Sequence, residues 1–362
     1  MADRTRPHFP RTGPRRAVVV GAGSFGTAVA VLLAKGGMRT TLQARTVVQA
    51  DQLATARENA TYLAGITLPD ELQIESIHAG LRGYDLVFLA VPSRGLDEVI
   101  ATLTERGLSA RASVISLAKG LVPPEGRLPT ALLRELLGPD RVGVVGGPAH
   151  AREMVTEGAA FVAASENGEL AATLARLFTG AGIVCEQSND PVGVELAGAA
   201  KNAAALASGA TEAQGLNAAG AAAGHIFAEI WRYAETQGGR AESLIGLAGT
   251  GDLVATALAA GSRNRRAGEL LAAGVPAEEI PARIGQAVEA LDLVPLLARA
   301  LERSGLEAPV TTGLARLISG ELPLADWVAL VRTTVPPRAR FRSGRPGPLA
   351  RLLARLRGSR PR

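Results

Sequence analysis

Cysteine is nearly absent from this 362-residue chain. Cys185 stands alone, which excludes an intramolecular disulfide and a cysteine-rich zinc site. Four histidines (His8, His78, His150 and His225) are scattered without metal-ligand spacing, so no metal is expected. No apolar run reaches the roughly 18 residues needed to cross a bilayer, so no integral membrane segment is expected. The first 16 residues are basic and contain proline, but they lack the apolar stretch of a secretory leader. These absences point to a cytoplasmic, metal-free protein.

Lysine is scarce too. Of 39 basic residues, 36 are arginine and only Lys35, Lys119 and Lys201 are lysine. A chain that uses arginine for generic positive charge raises a chemical question wherever it keeps lysine, because a desolvated lysine loses its proton near neutrality and arginine does not.

The net charge of +5 misleads. Residues 1–16 contribute +4 and residues 336–362 contribute +9, which leaves −8 on the rest of the chain. A nucleic-acid protein needs its basic footprint on the folded body, and none is apparent, so no nucleic-acid partner is expected. The Pro-, Gly- and Arg-rich composition of both ends predicts disordered tails over 1–15 and 336–362. Within the second, Leu349, Leu352, Leu353 and Leu356 share one helical face among arginines, a pattern also suited to a membrane surface or a partner.

What is present describes a globular protein with a sizeable core: 47% apolar residues, 20% charged, and a length that suggests two domains. A β-branched run over 16–21 predicts a strand buried on both faces, followed by a glycine turn and a helical pattern over 27–35. Further strand-like runs fall at 40–42, 85–91, 112–117, 141–145, 160–164 and 182–186. Helical stretches between them, such as 96–103 and 130–137, imply βαβ units and a mainly parallel sheet. The character changes near Ser188-Asn189-Asp190-Pro191, where an Asp or Asn cap precedes a proline suited to a first helical turn. The expected architecture is α/β: a Rossmann-like NAD(P)-binding domain over 16–189, then an all-helical substrate and catalytic domain over 190–335. That Ala-rich, apolar helical half is compatible with a homodimer, which composition alone does not show.

Gly21, Gly23 and Gly26 match G-x-G-x-x-G in the required setting of strand before and helix after. The first glycine permits the turn, the second lets a pyrophosphate approach the backbone, and the third lets helix pack on strand. The phosphate then meets the positive end of the helix. An NAD site usually offers an acid about 20 residues on, but none occurs between Thr27 and Ala50. Arg45 instead stands where a 2′-phosphate would lie, which favours NADP over NAD; the bland reading is an exposed arginine.

Lys119, in Ser116-Leu117-Ala118-Lys119-Gly120 at a strand end, is placed to face the cofactor crevice. Gly146-Gly147-Pro148 opens a helix with free backbone N–H groups for an anion. Glu153 in the next turn fits the helix dipole. Lys201 sits in the small, apolar stretch Val194–Asn202, where burial would bring its pKa toward neutrality; otherwise it is a lysine snorkelling along a helix. Asp252, in the Gly-rich segment Gly246–Leu253, is a partner able to orient and charge it. Ser262-Arg263-Asn264 gathers hydroxyl, guanidinium and amide at a helix start suited to phosphate. Gly285-Gln286-Ala287-Val288-Glu289 puts a carboxylate after a small-residue turn.

Taken in this order, GAGSFGTA, VPS, the AKG at 118–120, GGP, the KN at 201–202, GLAGTGDL and SRNRR resemble the NAD(P)H-dependent glycerol-3-phosphate dehydrogenase family over about 15–330. The resemblance implies reversible reduction of dihydroxyacetone phosphate to sn-glycerol 3-phosphate, a phospholipid precursor. It implies cofactor contacts at Ser24, Phe25, Arg45, Lys119, Ala151, Arg263, Ala287 and Glu289. It makes Lys201 the proton-transfer residue, held by Asp252, and counts Lys119 among the catalytic residues. Lys119, Gly147, Ala149, Lys201, Asp252, Ser262, Arg263 and Asn264 would line the substrate site. The chain departs from the family pattern at Ala149-His150, where Ser or Thr and then Phe are usual. It departs again at the Ala-rich, shortened segment 209–224, which lacks Lys and Arg, and at Ala290 in place of glycine. These departures admit two alternatives: a degenerate paralogue that binds dinucleotide as a sensor, or a dehydrogenase acting on another phosphorylated substrate.

Overall fold

Runs of small and β-branched residues that can be buried on both faces become the centre of a sheet. The computed structural model describes residues 16–259 and 261–335. The expectations for 1–15, for 336–362 and for the leucine face at 349–356 lie outside the described residues.

The strands are β1 (Arg16–Val20), β2 (Arg39–Ala44), β3 (Gln73–Ser76), β4 (Leu86–Leu89), β5 (Ser113–Ser116), β6 (Val142–Gly146), β7 (Ala160–Ala164) and β8 (Val184–Ser188). They form one sheet in the order β3-β2-β1-β4-β5-β6-β7-β8. Every pairing is parallel except β6 with β7. This is the mainly parallel Rossmann-like sheet that the sequence predicts. β3 was not foreseen, because Gln73-Ile74-Glu75-Ser76 carries one apolar residue and lies on a part-exposed edge. β8 starts two residues later than expected because Gly182 adopts φ +86° and turns the chain first.

From β1 the chain builds outward through β2 and β3, then returns to add β4 on the other flank. The carboxyl end of β1 is therefore the topological switch point, where an open α/β sheet leaves a crevice for ligand. The helix that follows β1 spans Ser24–Lys35, three residues earlier than the apolar pattern suggested. It is buried from Gly26 to Ala34, so a one-sided pattern could not mark its start.

Beyond β8 the described residues are mainly helical. The helix Pro191–Thr211 begins on the expected cap, with the Asp190 carboxylate accepting from Gly193 N at 2.8 Å. Asp190 also accepts from Arg240 N and Ser243 Oγ, which joins two helix starts. The Pro191–Thr211 helix is buried along nearly its whole length, among Leu216–Thr236, Asp252–Leu258, Arg263–Ala272 and Glu289–Arg303. Its crossing with Arg263–Ala272 is backbone on backbone: a Cβ at Gly209 would overlap Arg265 O, and one at Gly268 would overlap Leu206 O. Among the described residues no single helix is long and apolar enough to cross a membrane.

Candidate active site

The glycine turn sits at the switch point. Gly21 adopts φ +116°, and its N–H donates to Gln43 O at 2.9 Å, which brings the turn beside the end of β2. A Cβ at Gly21 would press on Ala90 O at 2.7 Å, and one at Gly26 would overlap Gly21 O. A Cβ at Gly23 would meet nothing within 4 Å, so this glycine borders open space. The helix beyond has no side-chain cap and no acid in its first turn. Unbonded amides facing open space at a helix start fit a dinucleotide pyrophosphate.

Lys119 follows the end of β5 and reaches across the crevice. Its Nζ lies 5.6 Å from the Phe25 ring centroid, donates to Gly147 O at 3.0 Å, and meets Asp252 Oδ2 at 2.6 Å. Asp252 opens its helix directly after a π turn over Leu247–Gly251, so the Gly-rich segment delivers a carboxylate that is 1% exposed. Its other oxygen, Oδ1, lies 3.3 Å from Lys201 Nζ, and Lys201 is 8% exposed. Lys201 also donates to Thr256 Oγ1 at 3.2 Å. Lys201 is therefore a buried ammonium and does not snorkel. Burial, then the charge of Lys119, brings its pKa down to about 8, although Asp252 and Glu289 pull the other way. Burial acts to raise the Asp252 pKa, but the two ammoniums outweigh it and hold the carboxyl below its ordinary range.

An amide chain runs outward from this cluster. Asn202 Nδ2 donates to Lys119 O at 3.0 Å and to Glu289 Oε2 at 3.4 Å. Asn202 Oδ1 accepts from Asn264 Nδ2 at 2.9 Å, and Asn264 Oδ1 accepts from Ala290 N at 3.3 Å. Arg263 donates to Ala287 O at 3.2 Å and has no carboxylate partner among the described residues. Arg265, two residues on, is held by Glu212 at 2.8 Å and by Glu269 at 3.3 Å. Ser262 caps the Arg263–Ala272 helix as expected, but its oxygen accepts from Arg265 N at 3.4 Å, so the hydroxyl takes part in the cap as an acceptor.

The structure thus gathers Phe25, Lys119, Gly147, Lys201 and Asp252 at one point, joins Asn264 and Glu289 to it through Asn202, and bonds Arg263, next to Asn264, to Ala287. Arg45 is exposed just beyond β2, and its amide, not its guanidinium, is bonded, to Gln49 Oε1. Ala149 is half-buried against the sheet core, and Ala151 begins the helix Ala151–Thr156. No hydrogen bond ties either of them to the lysine cluster. Thr256 carries no expectation from the sequence and is legible afterwards as the residue one helical turn beyond Asp252, while Asn202 stands in the KN match at 201–202 without a role assigned to it.

The chain is similar to known proteins over most of its length. The N-terminal model of NAD-dependent glycerol-3-phosphate dehydrogenase matches residues 16–171, and its C-terminal model matches residues 190–329. A glycerol-3-phosphate dehydrogenase [NAD(P)+] of Thermus thermophilus is 39% identical over 87% of this chain and 98% of its own length. One from Deinococcus radiodurans is 38% identical over 86% of this chain and 92% of its own. The crystal structure of glycerol-3-phosphate dehydrogenase from Coxiella burnetii superposes with a TM-score of 0.82 at 30% identity, covering 88% of this chain and 99% of that one. The chain belongs to the NAD(P)-dependent glycerol-3-phosphate dehydrogenase family of oxidoreductases.

Proposed function

We propose that this protein reversibly reduces dihydroxyacetone phosphate to sn-glycerol 3-phosphate, with Lys201 as the proton donor. The observation that carries the reading is a buried Lys201 sharing one carboxylate, Asp252, with Lys119. A bound nicotinamide supplies the hydride for the C2 carbonyl. Lys201, poised near neutrality, delivers a proton to the carbonyl oxygen and takes it back in the reverse direction. Two ammoniums on one carboxylate leave net positive charge where the alkoxide develops, in a site shielded from water.

Arg263, not neutralised by a carboxylate, and Asn264, oriented through Asn202, suit the substrate phosphate. Ser262 contributes the cap of that helix. The amides at Ser24–Gly26 suit the cofactor pyrophosphate, with Phe25, Ala151, Ala287 and Glu289 around it, and Arg45 suits a 2′-phosphate. Gly147, whose carbonyl accepts from Lys119, and Ala149 suit the substrate site, where the alanine methyl offers no hydrogen bond to substrate. Under this reading the enzyme works in the cytoplasm toward phospholipid synthesis, and its Ala-rich helical half serves a homodimer. A dinucleotide sensor has no use for the two lysines on Asp252, so a binding-only role is the weaker reading.

The test is oxidation of NADPH and of NADH with dihydroxyacetone phosphate, in wild type and Lys201→Ala. Turnover that falls by about a hundredfold or more in the variant supports the reading, since proton transfer contributes roughly 10²–10⁴. Unchanged turnover in the variant removes Lys201 from the chemistry. A folded wild type that binds NADPH without turnover favours another substrate.

A further inference from the structure

Glu195 is buried, 3% exposed, about one and two-thirds helical turns before Lys201, and the chemistry above makes no use of it. Its carboxyl faces the start of the helix Pro129–Leu137. Thr130 N donates to Oε1 at 3.0 Å and to Oε2 at 3.4 Å, and Thr130 Oγ1 lies 2.5 Å from Oε2. Thr130 closes the segment that begins with Lys119. That segment lies along one face of the Pro191–Thr211 helix, at positions 195, 198 and 202, spaced i, i+3 and i+7. At the middle position Gly198 lies under Lys119, where a Cβ would come within 3.5 Å of Lys119 Cβ. At the far position Asn202 donates to Lys119 O. Between the anchors, Leu121 and Leu128 are buried in the same core as this helix.

We propose that Glu195 is a positioning residue that fixes Lys119 relative to Lys201 by pinning the far end of the 119–130 segment to the Lys201 helix. The segment is also held by Lys119 Nζ on Gly147 O and Asp252 and by Arg303 at Glu125 O, and the Glu195–Thr130 contact fixes its far end directly to the Lys201 helix. The carboxyl accepts from Thr130 N at Oε1 and from Thr130 Oγ1 at Oε2; as a neutral acid it keeps the first bond, and a single hydrogen, from either side, spans the short Oε2–Oγ1 contact. Burial in this apolar setting pushes its pKa up to about 8, which fits the neutral form.

The consequence for catalysis rests on the dehydrogenase reading, so the experiment reads geometry and activity separately. The chain has three lysines, so full-length protein labelled with ε-¹³C-lysine shows three ε-carbon resonances, with exposed Lys35 as an internal control. Glu195→Gln keeps an acceptor for Thr130 N and a donor for Thr130 Oγ1, and is expected to keep all three resonances and the activity. Glu195→Ala is expected to shift the Lys119 and Lys201 resonances, to leave Lys35 in place, and to lower kcat by up to about a hundredfold, the cost of misplacing a catalytic group by about 1 Å. In a Lys119→Met background Glu195→Ala should cost no further activity. An unmoved Lys119 resonance in folded Glu195→Ala overturns the proposal, as do additive losses in the double variant. Should wild type fail to turn over dihydroxyacetone phosphate, the functional reading falls, and the Lys119 resonance still decides the role of Glu195.

Discussion

Lys119 and Lys201 divide a single carboxylate between them, Lys119 at 2.6 Å from Asp252 Oδ2 and Lys201 at 3.3 Å from Oδ1. The like charge of Lys119 joins burial in lowering the Lys201 pKa to about 8. Carbonyl reduction needs the ammonium form, so its kcat/KM should fall as pH rises through about 8. Alcohol oxidation needs the free amine, so its kcat/KM should fall as pH drops below the same point. Removing the like charge in Lys119→Met should move both limbs to higher pH. Profiles of kcat/KM in each direction check this, and a limb that stays put in Lys119→Met would separate the two lysines.

Asp252→Asn leaves two ammoniums beside a neutral amide, one of them buried. Breaking a buried ion pair from one side costs about 3–5 kcal/mol, because the remaining charge has lost its partner. The loss of Asp252, which raises the Lys201 pKa, should also drive that pKa further down and reduce the protonated fraction at neutral pH. Lower stability in denaturant and lower reductive kcat are both expected, the latter partly restored at acidic pH. Wild-type stability in this variant would mean that the ammoniums are compensated elsewhere.

The architecture was legible because its signals are local: a β-branched run into G-x-G-x-x-G, alternation of strand and helix, and the Asp190-Pro191 helix start. Lys201 and Asp252 could be paired because a charged residue among alanines and glycines needs a partner. Three things could not be read in one dimension. β3 lacks a hydrophobic pattern, being a part-exposed edge strand. The sharing of Asp252 by Lys119 is a contact between residues 133 positions apart. The roles of Asn202 and Glu195 depend on a loop lying along a helix face, and no spacing within either segment announces that contact.

The glycine crossing should be sensitive to a single methyl group. Gly268→Ala places a Cβ into Leu206 O, so the Arg263–Ala272 helix must move off the Lys201 helix. Overpacking of this kind costs about 1–3 kcal/mol. Because the displaced helix carries Arg263 and Asn264, KM for dihydroxyacetone phosphate should rise more than kcat falls. Thermal unfolding with steady-state kinetics tests both. A lowered melting temperature with unchanged KM would show that the crossing holds the fold without setting the phosphate site.

Cofactor choice should turn on Arg45, which is exposed beyond β2 beside the glycine turn. If its guanidinium meets a 2′-phosphate, Arg45→Ala removes a charge-assisted contact worth about 1.5–3 kcal/mol, or roughly tenfold or more in KM for NADPH. KM for NADH should change little. Equal KM changes for the two dinucleotides would leave Arg45 a surface residue and the preference to be found elsewhere.

Glu195 also makes a thermodynamic prediction that needs no substrate. Its pKa is raised from an ordinary 4.5 to about 8 in the folded chain. Between those values the folded state holds a proton that the unfolded state has released, so stability must decline as pH rises across this window. Below the window both states are protonated and the favourable contribution is complete. Above it both are ionised, and the folded chain carries a buried carboxylate whose compensation is Thr130 alone. Glu195→Gln cannot ionise, so its denaturation midpoint should lose this decline. Midpoints at pH 5 and pH 8 for the two proteins isolate the effect, because every other titrating group is common to both. An identical pH dependence in the two would mean that Glu195 is ionised in the folded chain.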